Sequence, residues 1–191
     1  RKVVESRFDG GYILEGDYSQ LEFRVAGFLA KDKAVYRDVK EGTDVHSFTA
    51  SIIGCDRQTA KAHTFKPLYG GVSGTSEQQK YYRTFKSKYS NVTSWQEDLQ
   101  KQAVENKFIK LPSGREYAFP DAQWTRWGTA TNATAICNYP VQGFATADLL
   151  PMALVLLDYN IRGHNLKSVI CNTVHDSIVI DVHPDEYKDC I

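Results

Sequence analysis

The sequence carries no surplus of charge: 23 Lys and Arg balance 23 Asp and Glu, for a formal net charge of zero. Bulk electrostatics therefore give no support for binding a polyanion, and any cationic surface would have to be local. Cysteine is sparse. Cys55, Cys137, Cys171 and Cys190 stand far apart and form no CxxC pair, which argues against a zinc site and reads simply as reduced intracellular thiols. No apolar run approaches the ~18 residues of a membrane span, and no cationic-then-apolar leader opens the chain, so no membrane association is expected. There is no internal repeat and no low-complexity segment, which sets aside repeat architectures and flexible linkers. What is present is 191 residues, 42% hydrophobic, with 11 Tyr, 9 Phe and 3 Trp. That is enough for one ordinary domain, or two small interleaved ones, around a buried core. The chain opens on Arg1 rather than Met and stops abruptly at "KDCI", and so reads as a fragment of a longer protein.

Local patterns sketch the elements. Tyr12, Ile13 and Leu14 suit a short buried strand, and Leu21, Val25, Phe28 and Leu29 follow helical spacing from about Ser19. "DVHSFTASIIG" predicts a short helix ended by Gly54. Asp56 is placed to cap the next helix, Ser76 to cap a longer one from Glu77 to about Tyr89, and "VTSWQEDLQKQAVENK" predicts another. "FIKLPSGREYAFP" reads as a hairpin. "TATNATAICNYPVQGFATADLLPMALVLLDYN" predicts helical turns, a break at Pro140 and a long helix, and "LKSVICNTVHDSIVIDVHP" predicts strand, tight turn, strand.

Two aspartates stand at strand ends. Asp17 ends an apolar strand, and Asp176 sits in the turn between two others. Carboxylates from separate strands converge if the strands share a sheet, and hard divalent cations take such oxygen ligands. Two ions about 4 Å apart activate an attacking oxygen and stabilise a leaving one. Taken singly, each aspartate favours a structural reading, Asp17 as the cap of the following helix and Asp176 as a turn residue; Ser177 is a turn residue too, and Asp181 is expected to face solvent. "SQLE" is an S-x-x-E capping box, so Glu22 has a structural reading in its hydrogen bond back to Ser19, and Arg24 reads as a solvated helix residue.

Arg57, Lys61, Phe65 and Tyr69 recur every fourth residue and predict one helix face that passes from cations to rings. Arg offers a planar fork and Lys a point charge, both suited to phosphate oxygens, and the positive end of the helix dipole adds to them. His46 is a third candidate phosphate contact, while Phe65 and Tyr69 suit a sugar or base. An amphipathic helix with its rings in the core and its cations in water has the same spacing. Pro67 lies beside this face and lacks the N–H that would reach the His63 carbonyl, so a bend is expected between Phe65 and Tyr69.

Three segments in order tip the balance. "DYSQLEFR" (17–24), "RQTAKAHTFKPLYG" (57–70) and "VHDS" (174–177) resemble motifs A, B and C of the DNA polymerase I family, family A. Motif B in that family reads R-x-x-x-K-x-x-x-F/Y-x-x-x-Y-G, which is matched at Arg57, Lys61, Phe65, Tyr69 and Gly70. "GTDVHSFTASIIG", "LPSGREYAFP" and "NYPVQG" also look like family segments. The resemblance covers nearly the whole chain.

It implies an α+β fold, a right-hand polymerase palm with an antiparallel sheet and a mostly helical fingers subdomain. Residues 1–30 and 129–191 would form the palm and 31–128 the fingers. The implied reaction is attack of a primer 3′-oxygen on the α-phosphate of a dNTP with release of pyrophosphate, assisted by two Mg²⁺ ions. The implied metal ligands are Asp17, Asp176 and the carbonyl of Tyr18. Glu22 would be the gate against a ribose 2′-hydroxyl. His46, Arg57 and Lys61 would meet the triphosphate, with Lys61 also protonating the leaving pyrophosphate. Phe65 would pack on the sugar, and Tyr69 would border the templating position. Gln20, Arg24, Asn138, Gln142 and His175 would contact or support the DNA. Phe rather than Tyr at 65 implies discrimination against dideoxynucleotides. The implied partners are primer–template DNA and dNTPs, with a helicase, primase or processivity factor reached through regions outside the chain. A cytoplasmic setting is expected, the host cytoplasm for a phage enzyme.

The sequence departs from the family pattern in places. Ser177 stands where cellular enzymes carry Glu, and Thr134 where an Arg is common. "GCDRQ" is a short link before the Arg57 helix, and "FKP" replaces a small residue after the aromatic. These features look phage-like. With no thumb, earlier palm segment or exonuclease in the window, the fragment is expected to be inactive on its own. A non-catalytic nucleic-acid-binding relative and a single-subunit RNA polymerase are the alternatives, and Glu22 within "DYSQLE" favours deoxynucleotides over the latter.

Overall fold

The computed structural model describes residues 4–71 and 73–190. In chain order its elements are β1 (Tyr12–Asp17), α1 (Leu21–Leu29), α2 (Lys33–Lys40), α3 (Val45–Ile53), α4 (Arg57–Thr64), α5 (Ser76–Lys88), α6 (Ser90–Asn106), β2 (Phe108–Lys110), β3 (Glu116–Ala118), α7 (Ala133–Gly143), α8 (Leu150–Gly163), β4 (Val169–Val174) and β5 (Ser177–Val182). A 3₁₀ turn occupies Pro67–Tyr69 and a π-helical segment Phe144–Leu149. Contacts divide the chain into two compact units: one joins the segment up to Leu21 with the segment from Ala145, and the other is Glu22–Phe144. These divisions differ from the expected ones at 30/31 and 128/129. Packing sets both: Phe23 of α1 lies edge-on to Tyr89 at 5.3 Å, and Ile136 of α7 clusters with Leu99, Ala103 and Ile109, all within the helical unit.

The first unit is built on an antiparallel sheet of order β1-β5-β4. The β4–β5 hairpin closes through His175 and Asp176, with Val174 paired to Ser177. Its central strand buries Ile178, Ile180 and Val182 against Leu150, with Leu14, Leu154, Leu157 and Ile170 around them. β1 is an edge strand, so the expectation of a buried strand fails: Tyr12 and Ile13 are exposed, and Leu14 alone of the three joins the cluster. Asp181 also departs from expectation. It is buried and accepts from the Ser6 hydroxyl at 2.5 Å, the Arg7 N–H at 3.1 Å and the Arg7 Nε at 3.0 Å. Burial alone would raise its carboxyl, but these donors hold it below the usual range.

The second unit is mostly helical. Asp32 caps two helices at once, accepting from the N–H groups of Ala34 and Val35 at the start of α2 and of Asn91 and Val92 at the start of α6. One carboxylate thereby satisfies four of the donors that helix starts leave open. Tyr81, Tyr82, Phe85 and Tyr89 of the α5 region form the aromatic core, each nearly inaccessible. Gly27 lets α2 approach closely, because a Cβ there would stand 2.2 Å from Val35 Cγ1. The cap of α5 is Thr75, not Ser76, in a reciprocal box with Gln78. The β2–β3 hairpin forms as expected and packs through Ile109 on Leu99, Ala103 and Ile136.

Pro140 does not break its helix: α7 runs through it to Gly143, and the irregularity falls later, in the π-helical segment. A proline removes one backbone bond, which a helix held by buried Ile136, Cys137 and Val141 tolerates. By length and composition, the helical stretch Ala133–Gly163 is enough to cross a membrane, contrary to the expectation from apolar runs. Its apolar residues are interspersed with Asn138, Gln142 and Asp148 rather than forming a run.

Candidate active site

Antiparallel pairing positions the two aspartates of the first unit. Asp17 is the last residue of β1 and pairs with Ser177, the residue after Asp176. Paired Cα atoms lie roughly 5 Å apart. The N–H of Tyr18 donates to the main-chain carbonyl of Asp176 at 3.3 Å, extending the ladder past the strand end. Both aspartates thus leave one end of the sheet. Their backbones are constrained by His175 at φ 56° and Gln20 at φ 55°, left-handed conformations that cost an L-residue roughly 1–2 kcal/mol. Glycine is the usual residue for such a hairpin position, so His175 stands there against the backbone preference. Ser177 is buried and donates to the Val174 carbonyl at 3.0 Å and to Glu15 at 3.2 Å. Among the described residues, no group of three or more His, Cys, Asp or Glu is placed to share a metal ion. The hard-oxygen donors at this end include the carboxylates of Asp17 and Asp176 and main-chain carbonyls, with the Glu15 carboxylate reaching Ser177 beside them.

The second unit carries its own set of motif residues. Asp56 caps α4 through Thr59, as expected, and Arg57 and Lys61 lie exposed on its first two turns. The predicted helix from Arg57 to Tyr69 is shorter in fact: α4 ends at Thr64, Phe65 is its cap, and Tyr69 belongs to the 3₁₀ turn. Pro67 explains the break. The His63 carbonyl takes the Lys66 N–H at 3.2 Å instead of an N–H from residue 67. Gly70 at φ 77° then reverses the chain, and the expected bend is present.

Glu22 has a different partner from the one its capping box suggested. α1 begins at Leu21, and the Glu22 carboxylate accepts from the Tyr69 hydroxyl and, at 3.5 Å, from Gln142. Burial and the adjacent carboxylate raise the Tyr69 phenol, which therefore stays a neutral donor. Motif residues at 22, 69 and 142 meet at one point. His46 is buried; its Nδ1 lies 3.0 Å from the Thr64 hydroxyl and its ring stands edge-on to Phe65 at 5.3 Å. Burial, with Arg57 and Lys61 nearby, lowers its pKa against the pull of Asp44. Asn138 keeps a buried Oδ1 that has no partner among the described residues. Arg24 is exposed.

Two contributors escaped the sequence reading. Asp44, the cap of α3, pairs with Arg57 at 2.6 Å and is held well below the usual carboxylate range by that guanidinium. Its place just before Val45, in "TDVH", was the available signal. Gln96 of α6 is buried and donates to the carbonyls of Pro67 at 3.1 Å and Leu68 at 2.5 Å, while Tyr81 donates to the Thr64 carbonyl at 2.9 Å. These side chains satisfy acceptors that the broken helix leaves open. Gln96→Leu should therefore destabilise the fold by about 1–3 kcal/mol, read as a lower urea midpoint, because it strands buried carbonyls.

The chain is similar to known proteins in sequence and in fold. The model of DNA polymerase family A matches residues 1–191. DNA polymerase I of Lactococcus lactis subsp. cremoris is 30% identical over 199 residues, covering 93% of this chain and 22% of the relative. That of Pseudomonas aeruginosa is 32% identical over 197 residues, covering 92% of this chain and 21% of the relative. Among solved structures, the POL domain of Pol1 from M. smegmatis, in complex with DNA primer-template and dNTP, superposes with a TM-score of 0.79 at 25% identity, covering 97% of this chain and 36% of that one. The chain thus spans about a fifth of the length of its curated relatives. With three motifs in order, an antiparallel sheet that ends in two aspartates and a family match along its whole length, the chain belongs to DNA polymerase family A.

Proposed function

We propose that these residues are the palm and fingers portion of a template-directed DNA polymerase, the sheet unit serving as palm and the helical unit as fingers. The carrying observation is the emergence of Asp17 and Asp176 from adjacent strands at one sheet end. Carboxylate and carbonyl oxygens are the donors that Mg²⁺ takes, so Asp17, Asp176 and the Tyr18 carbonyl fit that ion and would hold it. Divalent ions held there would supply the charge that lowers the pKa of a primer 3′-hydroxyl and offsets charge on the phosphates. Arg57 and Lys61 bind the triphosphate, and Lys61 supplies a proton to the departing pyrophosphate. Phe65 packs on the sugar. Glu22 is fixed by Tyr69 and Gln142, and a carboxylate so held leaves no room for a 2′-hydroxyl. Gln20, Arg24, Asn138, Gln142 and His175 serve the primer and template. His46, being buried, acts from behind the cations, orienting α4 through Thr64.

The relative with solved structure was captured with primer-template and dNTP, which supports the same substrates here. The test is extension of a labelled primer on a template by the full-length polypeptide with Mg²⁺, given dNTPs or rNTPs. Extension with dNTPs and at least about 100-fold less with rNTPs is expected. Preferential use of rNTPs would favour an RNA polymerase, and no extension with tight DNA binding would favour a non-catalytic relative.

A further inference from the structure

The segment between β3 and α7 holds two tryptophans in water. Trp127 is 74% exposed and Trp124 49%. The segment is a built hairpin. Trp124 bridges to Ala130, the Thr125 N–H donates to the Thr129 carbonyl at 2.8 Å, and the Thr131 N–H donates to the Gln123 carbonyl at 2.9 Å. Gly128 at φ 75° turns the tip and donates to the Thr125 carbonyl at 3.1 Å. The Arg126 guanidinium lies 4.4 Å from the Trp127 ring centre. Beside the hairpin base is a cleft of about 330 Å³ lined by Phe119, Asp121, Asn132 and Tyr139 among others. The rings of Phe119 and Tyr139 are stacked at 5.9 Å.

We propose that this hairpin and cleft form a stacking platform for the single-stranded template ahead of the primer terminus. The proposal rests on the polymerase reading above. Large rings left exposed on an ordered loop mark a contact surface, since an ordered loop loses little further entropy on binding. The two rings stand three residues apart with Arg126 between them in sequence, and its guanidinium already lies against the Trp127 ring, so the surface pairs aromatic faces with positive charge. Separate rings with an interposed cation fit unpaired bases and their phosphates: each base offers a face to an indole, and the guanidinium meets the backbone. A duplex offers no such faces, because its bases are already stacked. Position agrees. α7 starts directly after the hairpin, and Asn138 and Gln142 follow five and nine residues into it, roughly 8 and 14 Å along the axis.

The experiment measures affinity of the full-length polypeptide for primer–templates with one-nucleotide and ten-nucleotide template overhangs. The wild type should bind the long overhang more tightly. Trp127→Ala should cut that gain about tenfold, within the range for loss of one stacked base. Trp127→Tyr should retain most of the gain, Trp127→Leu should not, and Arg126→Gln should reduce its salt dependence. Equal wild-type affinity for both overhangs would overturn the proposal while leaving the polymerase reading intact. Retention of the gain by Trp127→Leu would also overturn it, because apolar bulk with no ring face would then suffice. No binding of either DNA by the wild type would overturn both readings.

Discussion

Asp176→Asn in the full-length polypeptide should lower primer extension at least about 10³-fold, on the order of 4 kcal/mol in barrier, while DNA binding and thermal unfolding stay near wild type. The substitution separates the two readings that the sequence left open. As a turn residue, aspartate is replaceable, because asparagine occupies the same turn positions and tolerates the same backbone. The structural contact recorded for residue 176 is its main-chain carbonyl, which accepts from Tyr18 and is kept in the variant. The carboxylate makes no hydrogen bond or ion pair among the described residues, so its loss costs the fold little. As a metal ligand, the carboxylate supplies charge that an amide cannot, and hard cations discriminate strongly between them. Single-turnover extension with excess enzyme gives the rate, and a melting curve gives the control. Extension within about threefold of wild type would leave Asp176 as a turn residue and remove the proposed centre.

What the sequence disclosed and what it withheld divide along a physical line. The β4–β5 hairpin, the α4 cap at Asp56 and the stop at Gly54 are local, decided by residues within a few positions of each other. They were legible for that reason. Pairings across distance were not. The Glu22–Tyr69 bond joins residues 47 positions apart, and Gln96 reaches Leu68 over 28. Periodicity says which face a residue occupies, not which partner stands opposite. Local signals also competed: "SQLE" spells a capping box, yet the tertiary partner Tyr69 takes the Glu22 carboxylate. Asp181 seemed a wet strand end because the segment that covers it, at Ser6 and Arg7, comes from the other end of the chain. The opposing strand of β1 was equally remote, so its exposure could not be read from Tyr12–Leu14 alone. The catalytic assignments came from ordered motif resemblance, which carries residue roles that spacing cannot.

Lys61→Ala should lower the maximal single-turnover rate by about 10²- to 10³-fold with a modest change in dNTP affinity, whereas Arg57→Ala should act mainly on affinity. Both cations lie exposed on one face of α4, but their surroundings differ. Arg57 is held by Asp44 at 2.6 Å, in a pair that water screens and that therefore contributes little. A triphosphate, with more charge than one carboxylate, can replace Asp44, and the guanidinium fork then grips the ground state and the transition state alike. Lys61 carries no hydrogen bond or ion pair among the described residues, and its ammonium is free to follow charge as it develops on the leaving pyrophosphate. An interaction that strengthens only in the transition state appears in the rate, not in binding. Rates measured across dNTP concentrations separate the two quantities. An Arg57→Ala enzyme impaired in maximal rate, beside a Lys61→Ala enzyme impaired only in affinity, would reverse the assignment and make Arg57 the group that acts on the leaving group.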